Sequence, residues 1–134
     1  MKNLLVIDTS VYLNYARHKK LYRLSYCVED YGLNLFVDDN LLKELERNLT
    51  KVLFFQGHDP SEALEEILEF TTLVQTIPIF TQSPDPKDNF LFDLALQTNS
   101  EVIVTEEKAL LGFVESPVPI HDIRWFKETY PVNL

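Results

Sequence analysis

A short, continuous apolar run near the start of the chain constrains the fold more than any other stretch. Leu4 to Ile7 is apolar at every position and is followed at once by Asp8, Thr9 and Ser10. Such a run is typical of a strand buried on both faces in a parallel sheet. Because open parallel sheets bind ligands at the carboxyl ends of their strands, Asp8 is predicted to point into a cleft, with Thr9 or Ser10 capping the next helix. Alternatively, Asp8 is only a capping or turn residue.

Later apolar runs alternate with segments of helical periodicity. Buried strands are expected at 33–37, 101–105 and 117–120, and a broken or edge strand at 74–80, where Pro78 lacks an N–H group. Helices are expected at 11–27, 41–55, 61–73, 88–98, 108–113 and 122–130. This alternation predicts an α/β fold, with a mostly parallel central sheet covered by helices on both faces.

Composition narrows the class of protein. The chain has 134 residues, 46% of them hydrophobic, so one soluble domain over residues 1–134 is expected. No run is long enough to cross a membrane and no signal pattern is present, which indicates the cytoplasm. A single cysteine, Cys27, excludes an internal disulfide, and the scattered His18, His58 and His121 are interpreted as loop or surface residues rather than a zinc site. The net charge of -9 argues against broad attraction to nucleic acid but is compatible with a nuclease that gathers carboxylates around cations.

One basic cluster interrupts this acidic background. It comprises Arg17, His18, Lys19, Lys20 and Arg23, and tyrosines are interleaved with it in the predicted first helix. Basic groups beside aromatic rings can contact the phosphates and bases of a nucleic acid strand, which makes Arg17, Lys19, Lys20 and Arg23 candidate RNA-binding residues. A solvated helix face is the alternative interpretation.

Four acidic residues fall on one edge of the predicted sheet. Asp8 and Glu107 follow strands, Asp88 lies at the start of a helix, and Glu44 lies beside the apolar stripe of another helix. Converging carboxylates repel one another unless they hold cations. Oxygen ligands with room for water suit Mg²⁺ or Mn²⁺, which can polarise a phosphate and activate water. Acids also cap helices, so these residues alone leave both interpretations open.

Four stretches also carry a family resemblance. In chain order they are Leu5–Val11, Leu42–Leu45, Asp85–Asn89 with the following Leu94–Leu96, and Val102–Glu107. Together they resemble the PIN-domain family, and most closely the toxins of toxin-antitoxin systems similar to VapC ribonucleases. The resemblance runs from about Leu4 to Tyr130, and the Asp-Pro-Lys-Asp-Asn stretch before the Val-Thr strand end is its most specific part.

The resemblance implies a three-layer α/β/α PIN-like domain and a Mg²⁺- or Mn²⁺-dependent endoribonuclease acting on RNA and restrained by a cognate antitoxin. By position, Asp8, Glu44 and Asp88 match the family's acidic metal ligands, and Glu107 matches its fourth acid. Supporting polar roles are implied for Thr9, Ser10 and Asn89, with Asp85 as a further candidate. Together with the aromatic-rich first helix, the resemblance favours a homodimer. Asp93, about a turn and a half after Asp88, is expected to face solvent.

One departure bears on catalysis. The family usually has Gly-Asp after the Val-Thr strand, whereas this chain has Glu106-Glu107. The longer Glu side chain moves its carboxylate by more than about 1 Å, and the missing glycine alters the turn. A second metal position is therefore in question, and a catalytically silent PIN-like module that binds RNA or protein is the alternative. A response-regulator receiver domain fits less well, because hydroxyls rather than a second acid follow Asp8 and residues 76–80 contain no Asp.

Overall fold

The computed structural model describes residues 3–54, 56–57 and 59–133. The strands within these residues are β1 (Leu4–Ile7), β2 (Asn34–Val37), β3 (Thr72–Leu73), β4 (Val102–Val104) and β5 (Ile120–His121). The helices are α1 (Thr9–Arg17), α2 (Leu21–Tyr31), α3 (Asp39–Phe54), α4 (Pro60–Glu69), α5 (Asn89–Gln97), α6 (Lys108–Leu111) and α7 (Ile123–Thr129), and a 3₁₀ turn (Pro86–Asp88) precedes α5. Two sequence predictions, a helix end at Phe55 and a surface position for His58, lie outside the described residues.

The strands form one sheet in the order β3-β2-β1-β4-β5, and each neighbouring pair is parallel. The chain winds outward from β1 through β2 and β3, then crosses back to β4 on the other side of β1. The strand order therefore reverses between β1 and β4, where Ile7 lies opposite Val104. Open parallel sheets bind ligands beyond the carboxyl ends of the strands at such a reversal.

Helices cover the sheet on both faces, which confirms the α/β class and the three layers. Helices α1 to α4 pack on one another, whereas α5 packs against β1, β2 and β4. Right-handed crossovers place α5 opposite α1 to α4, because the chain reverses direction across the sheet before it. Strand residues such as Val6 and Ile103 are fully buried between these layers. A parallel sheet buried on both faces accounts for the continuous apolar runs seen in the sequence.

The predicted first helix is two helices joined by an elbow. Lys19 adopts a left-handed conformation with a φ of 56°. The N–H of Lys20 donates to Tyr15 O at 2.8 Å, and the N–H of Lys19 donates to Ala16 O at 3.1 Å. These two hydrogen bonds form a Schellman motif, which ends α1 before α2 begins. The sequence does not reveal this break between the helices, because the helical spacing of apolar residues continues through the elbow.

The segment before α5 also differs from prediction. The helix predicted to reach residue 73 ends at Glu69, and β3, the edge strand, lies at Thr72–Leu73 rather than in 74–80. Asp93 does not face solvent but is 4% exposed, and it accepts the N–H groups of Ile79 and Phe80. Side chains of α5 thus bind the backbone groups that strand pairing would otherwise use.

The last strand and several helix ends also shift by a few residues. The strand expected at 117–120 forms at Ile120–His121, where His121 is half-buried and stacks on Trp125. Among the described residues, no helix combines the length and apolar character needed to cross a membrane.

Candidate acidic site at the strand ends

Asp8 lies at the end of β1 and is 2% exposed. It is itself the N-cap of α1, so the prediction that Thr9 or Ser10 caps this helix is wrong. Its Oδ1 accepts the Thr9 N–H at 2.8 Å, and its Oδ2 accepts the hydroxyls of Ser10 at 2.9 Å and Thr105 at 2.8 Å. Burial raises the pKa of this carboxyl even though these hydrogen bonds oppose the shift. A carboxylate offers about four lone-pair positions, and these hydrogen bonds use most of those of Asp8. The capping interpretation of Asp8 is therefore confirmed, and its place in a cleft stays a prediction.

Two hydroxyls join the end of β1 to the loop after β4. Thr105 Oγ1 donates to Asp8 and accepts the Glu107 N–H at 3.0 Å. Ser10 Oγ donates to Asp8 and accepts the Glu106 N–H at 3.0 Å. The loop that carries Glu107 is thus held directly by the residues that hold Asp8.

Asp88 and Glu107 form a carboxyl pair beside Asp8. Their carboxyl groups lie within hydrogen-bonding reach of each other, and this contact raises the pKa of Asp88. Burial, the charge of Glu107 and the shared hydrogen bond raise the pKa of Asp88 to about 8. Burial and the charge of Asp8 likewise raise the pKa of Glu107. Both shifts favour a proton shared between the two carboxyl groups in the absence of a cation.

Glu44 approaches the same cluster from α3 and is half-buried. Burial and the charges of Asp8 and Asp85 raise its pKa, while the Thr9 hydroxyl and the Arg47 charge oppose that shift. Thr9 is 3% exposed, and its Oγ1 has no direct hydrogen-bond partner among the described residues, although it lies near enough to Glu44 to affect that pKa. A buried hydroxyl without a protein partner leaves a hydrogen-bonding position that a bound water or another ligand atom would satisfy.

The remaining predicted site residues divide into two groups. Asp85 caps the 3₁₀ turn through the Lys87 N–H at 3.0 Å, and its charge contributes to the raised pKa of Asp88, Glu44 and Glu107. Asn89 turns toward the preceding loop, where its Oδ1 accepts the Ser83 N–H at 3.0 Å. Asp85 thus lies within electrostatic reach of the acids, whereas the observed contact of Asn89 positions the loop before α5.

The donor atoms of this cluster fit a hard divalent cation. All of them are carboxylate or hydroxyl oxygens, which Mg²⁺ and Mn²⁺ prefer. Within the described ranges, no three carboxylate, imidazole or thiolate groups already stand at the spacing of a closed ligand set. Mg²⁺ usually keeps several waters and uses only one or two protein carboxylates, so an open cluster with a free hydroxyl suits it.

The four predicted basic residues lie at the elbow after α1, at the opposite end of that helix from Asp8. Arg17, Lys19 and Lys20 are exposed, and Arg23 is partly buried. Lys20 and Arg23 line a cavity together with Lys127 of α7, which sequence reasoning missed. Thr105 was also missed as a site residue, although the Val-Thr strand end was noted. In the sequence Thr105 is like any other threonine at a strand end, because only the structure shows its contact with Asp8.

Comparisons with known proteins identify the family and the fold of the chain. A family model described as PIN domain matches residues 4–109. A chain in the crystal structure of VapBC2 from Rickettsia felis bound to a DNA fragment from their promoter is similar in structure, with a TM-score of 0.58, 13% identity and coverage of 89% of this chain and 98% of that chain. A domain of a functionally unknown protein from Methanocaldococcus jannaschii gives a TM-score of 0.55 and 15% identity, over 88% of this chain and 89% of that chain. At these identities the two structures support the fold alone. No curated protein matches the sequence.

Proposed function

The chain belongs to the PIN domain family, and from this premise we propose that it is a metal-dependent endoribonuclease and the toxin of a toxin-antitoxin pair. The observation that carries the proposal is the convergence of Asp8, Glu44, Asp88 and Glu107 where the strand order reverses, each with a raised pKa. Burying like charges together destabilises a fold unless a cation or a proton compensates them. The cluster therefore has a functional rather than a stabilising role.

Each acid has a separate task in the proposed hydrolysis. Asp8 is held in one orientation at the end of β1 by the Thr9 N–H and two hydroxyls. Asp88 and Glu107 would hold the cation as ionised carboxylates and would give up their shared proton on binding it, because ligand carboxylates must be ionised. Mg²⁺ or Mn²⁺, when bound by these carboxylates, would supply Lewis acidity toward the phosphodiester and lower the pKa of water. Glu44 adds negative charge at the edge and faces the buried Thr9 hydroxyl.

The proposed partners follow from the same premise. We infer an RNA substrate, a cognate antitoxin and a homodimer in the cytoplasm. The toxin assignment rests on the family premise and on the resemblance to VapC ribonucleases, while the likeness to a chain of VapBC2 supports the shared fold. On α2, Tyr22 and Tyr26 are each 44% exposed and offer apolar surface to a second copy. The free cysteine, Cys27, is buried and suits a reducing compartment.

A catalytically silent module is the second candidate, and one observation favours it. Asp88 and Glu107 are two of the proposed metal ligands, and their carboxyl groups can hydrogen-bond to each other instead of binding a cation. A chain that keeps their shared proton under all conditions would retain the fold and the acidic cleft without cleavage. It would then bind RNA or protein through other surfaces.

Cleavage of a mixed set of structured RNAs tests the proposal. We expect the wild type to cut in Mg²⁺ or Mn²⁺ and to stop in EDTA. Asp8→Asn and Asp88→Asn should each lower the rate by about a hundredfold or more, because losing ligand charge removes several kcal/mol of transition-state stabilisation. Both changes keep the side-chain shape, and the hydroxyls around Asp8 can rotate to accept from an amide.

Asp38→Asn is the matched control, since Asp38 caps α3 at the end of the neighbouring strand and is 1% exposed. This variant should cut within about twofold of the wild-type rate. Mn²⁺ binding without cleavage of any RNA in the set would mean that the set lacks the RNA that this protein cleaves. Neither metal binding nor cleavage by well-folded protein would favour the silent module.

A further inference from the structure

A concave basic site forms at the elbow between α1 and α2, where α7 closes it. This basic cavity has a volume of about 320 Å³ and is lined by Asn14, Tyr15, His18, Lys20, Arg23 and Lys127. Three of its six lining residues are cations at neutral pH, and none is acidic. In a chain of net charge -9, such a concentration of positive charge is unusual.

The cations of the basic cavity form no ion pair with the described residues. Among the described residues, the ion pair found is Arg124 with Glu128, so Lys20, Arg23 and Lys127 form none. The Nε of Arg23 is buried and has no hydrogen-bond partner in the described part of the chain. A buried guanidinium donor without a partner carries a desolvation penalty, which an anion in the cavity would remove.

The fold builds this site from distant parts of the sequence. The left-handed Lys19, with a φ of 56°, turns the chain between Tyr15 and Arg23. Lys127 comes from α7 and lies with its Nζ 5.6 Å from the centroid of the Tyr15 ring. A left-handed conformation is unfavourable in a residue other than glycine, so the elbow is maintained by surrounding contacts.

A second cavity continues from the first and shares Tyr15, Arg23 and Lys127 with it. Its volume is about 200 Å³, and its other lining residues are Cys27, Tyr130, Pro131 and Val132. Cationic groups beside aromatic and apolar surface match the phosphate and the base of a nucleotide. A plain anion would need only the first cavity.

We propose that this basic cavity binds a backbone phosphate of single-stranded RNA, away from the bond that is cut. The inference rests on the proposed nuclease function and names where the substrate is held. Helix α1 spans nine residues between the acidic cluster and the elbow. At 1.5 Å per residue this is about 14 Å, or about four nucleotides stacked at 3.4 Å each. RNA therefore contacts a cationic site that a much shorter substrate cannot reach.

Fluorescence anisotropy with a labelled 12-nucleotide single-stranded RNA in EDTA tests the site without cleavage. We expect weaker RNA binding in each of the variants Lys127→Gln, Lys20→Gln and Arg23→Gln. In each variant the slope of affinity against salt concentration should fall by the amount that corresponds to one phosphate contact. For one contact on a single strand, the ratio of affinities at 50 and 200 mM salt falls by about 2.5-fold. A labelled trinucleotide carries fewer phosphates, so it should bind the wild type more weakly than the 12-nucleotide RNA, and the same variants should weaken that binding further.

The chain offers matched controls for each change. Arg124→Gln alters an exposed arginine of α7 that faces Glu128, and Lys51→Gln alters an exposed lysine of α3. Both should leave the salt dependence of RNA binding within error of the wild type. Lys127 and Lys20 are exposed, so their variants keep the test valid if Arg23→Gln unfolds the elbow.

Three results would overturn the inference: no RNA binding by the wild type, equal losses in the control variants, or an unchanged salt dependence in Lys127→Gln and Lys20→Gln. Tighter binding of an acidic peptide of matched charge than of the RNA would assign the cavity to a protein partner instead. The two proposals fail separately. If the cavity variants weaken RNA binding but the wild type shows no metal-dependent cleavage, only the nuclease proposal is rejected. If the wild type cleaves RNA and the cavity variants cleave and bind it equally well, only the cavity proposal is rejected.

Discussion

Two aspartates occupy the same position at the ends of neighbouring parallel strands, and only one belongs to a cluster of acids. Asp8 follows β1 and Asp38 follows β2, and they are 2% and 1% exposed. Each caps the next helix, and each accepts a threonine hydroxyl at 2.8 Å, from Thr105 and Thr76 respectively. Locally the two carboxylates are equivalent.

Their surroundings differ. Asp8 contributes to the raised pKa values of Glu44, Asp88 and Glu107, so it lies among ionisable groups. The observed side-chain partners of Asp38 are the Asn40 amide and the Thr76 hydroxyl, which are neutral. A strand-end aspartate is therefore not a site by itself. Convergence with other acids where the strand order reverses distinguishes the candidate site from a helix cap.

The largest effect that separates the two strand ends should come from their threonines. Thr105→Val removes the hydroxyl that orients Asp8 and receives the Glu107 N–H. Loss of such a supporting group typically lowers metal affinity or activity about 10- to 100-fold. Thr76→Val removes the corresponding bond to Asp38 and should leave RNA cleavage unchanged. Metal titration of the cleavage rate distinguishes the variants, and equal losses in both would show that neither hydroxyl acts through the acidic cluster.

The pH dependence of stability should separate the strand ends next. The pKa of Asp88 rises from its ordinary value of 3.8 to about 8 in the folded protein. Between these values the folded state keeps a proton that the unfolded chain has lost, so the free energy of unfolding falls as pH rises. Asp88→Asn removes this penalty and should raise Tm relative to wild type at about pH 8, with little change near pH 4.

Asp38→Asn is the control for that measurement and should retain the wild-type fall in Tm with pH. Mg²⁺ should raise the Tm of wild type and Asp38→Asn at about pH 8 but raise that of Asp88→Asn much less, because a ligand stabilises only the state that binds it. A wild-type Tm that is flat over this range would contradict the shared proton of Asp88 and Glu107.

The comparison also shows what the sequence can reveal. Apolar runs predicted β1, β2 and β4, since strands buried on both faces carry no polar alternation. Parallel topology then placed Asp8 and Glu107 at one edge of the sheet. Edge strands such as β3 were misplaced, because two residues of pairing leave little periodic signal.

Contacts between distant segments were outside the reach of sequence patterns. Periodicity assigned Asp93 to solvent, yet the chain at Ile79 and Phe80 folds back onto it. Thr105 and Lys127 gained their roles only through partners about a hundred residues away, Asp8 and Tyr15. Asp8, Asp88 and Glu107 were candidates because they lie next to strand or helix ends, and Glu44 was one because it flanks the apolar stripe of α3. The side chains that orient these acids, such as Thr105, could not be predicted, because their positions depend on which loop packs against the end of β1.

The smallest effect concerns the second residue after each aspartate. Ser10 and Asn40 both donate to the Oδ2 of their own aspartate, at 2.9 Å and 3.3 Å. Ser10 alone also accepts the Glu106 N–H, which holds the loop carrying Glu107. Ser10→Ala should therefore lower RNA cleavage about three- to tenfold, the equivalent of about one hydrogen bond of 0.5–1.5 kcal/mol.

Asn40→Ala should change neither cleavage nor Tm beyond error, because Asn40 is exposed and its bond to Asp38 is long. Ser10→Thr restores the hydroxyl and should recover part of the lost rate if the Glu106 N–H bond is what matters. Failure of that rescue, or an equal loss in Asn40→Ala, would mean that the tie between the end of β1 and the loop after β4 does not position Glu107. The difference between the two strand ends would then lie in the carboxylates alone.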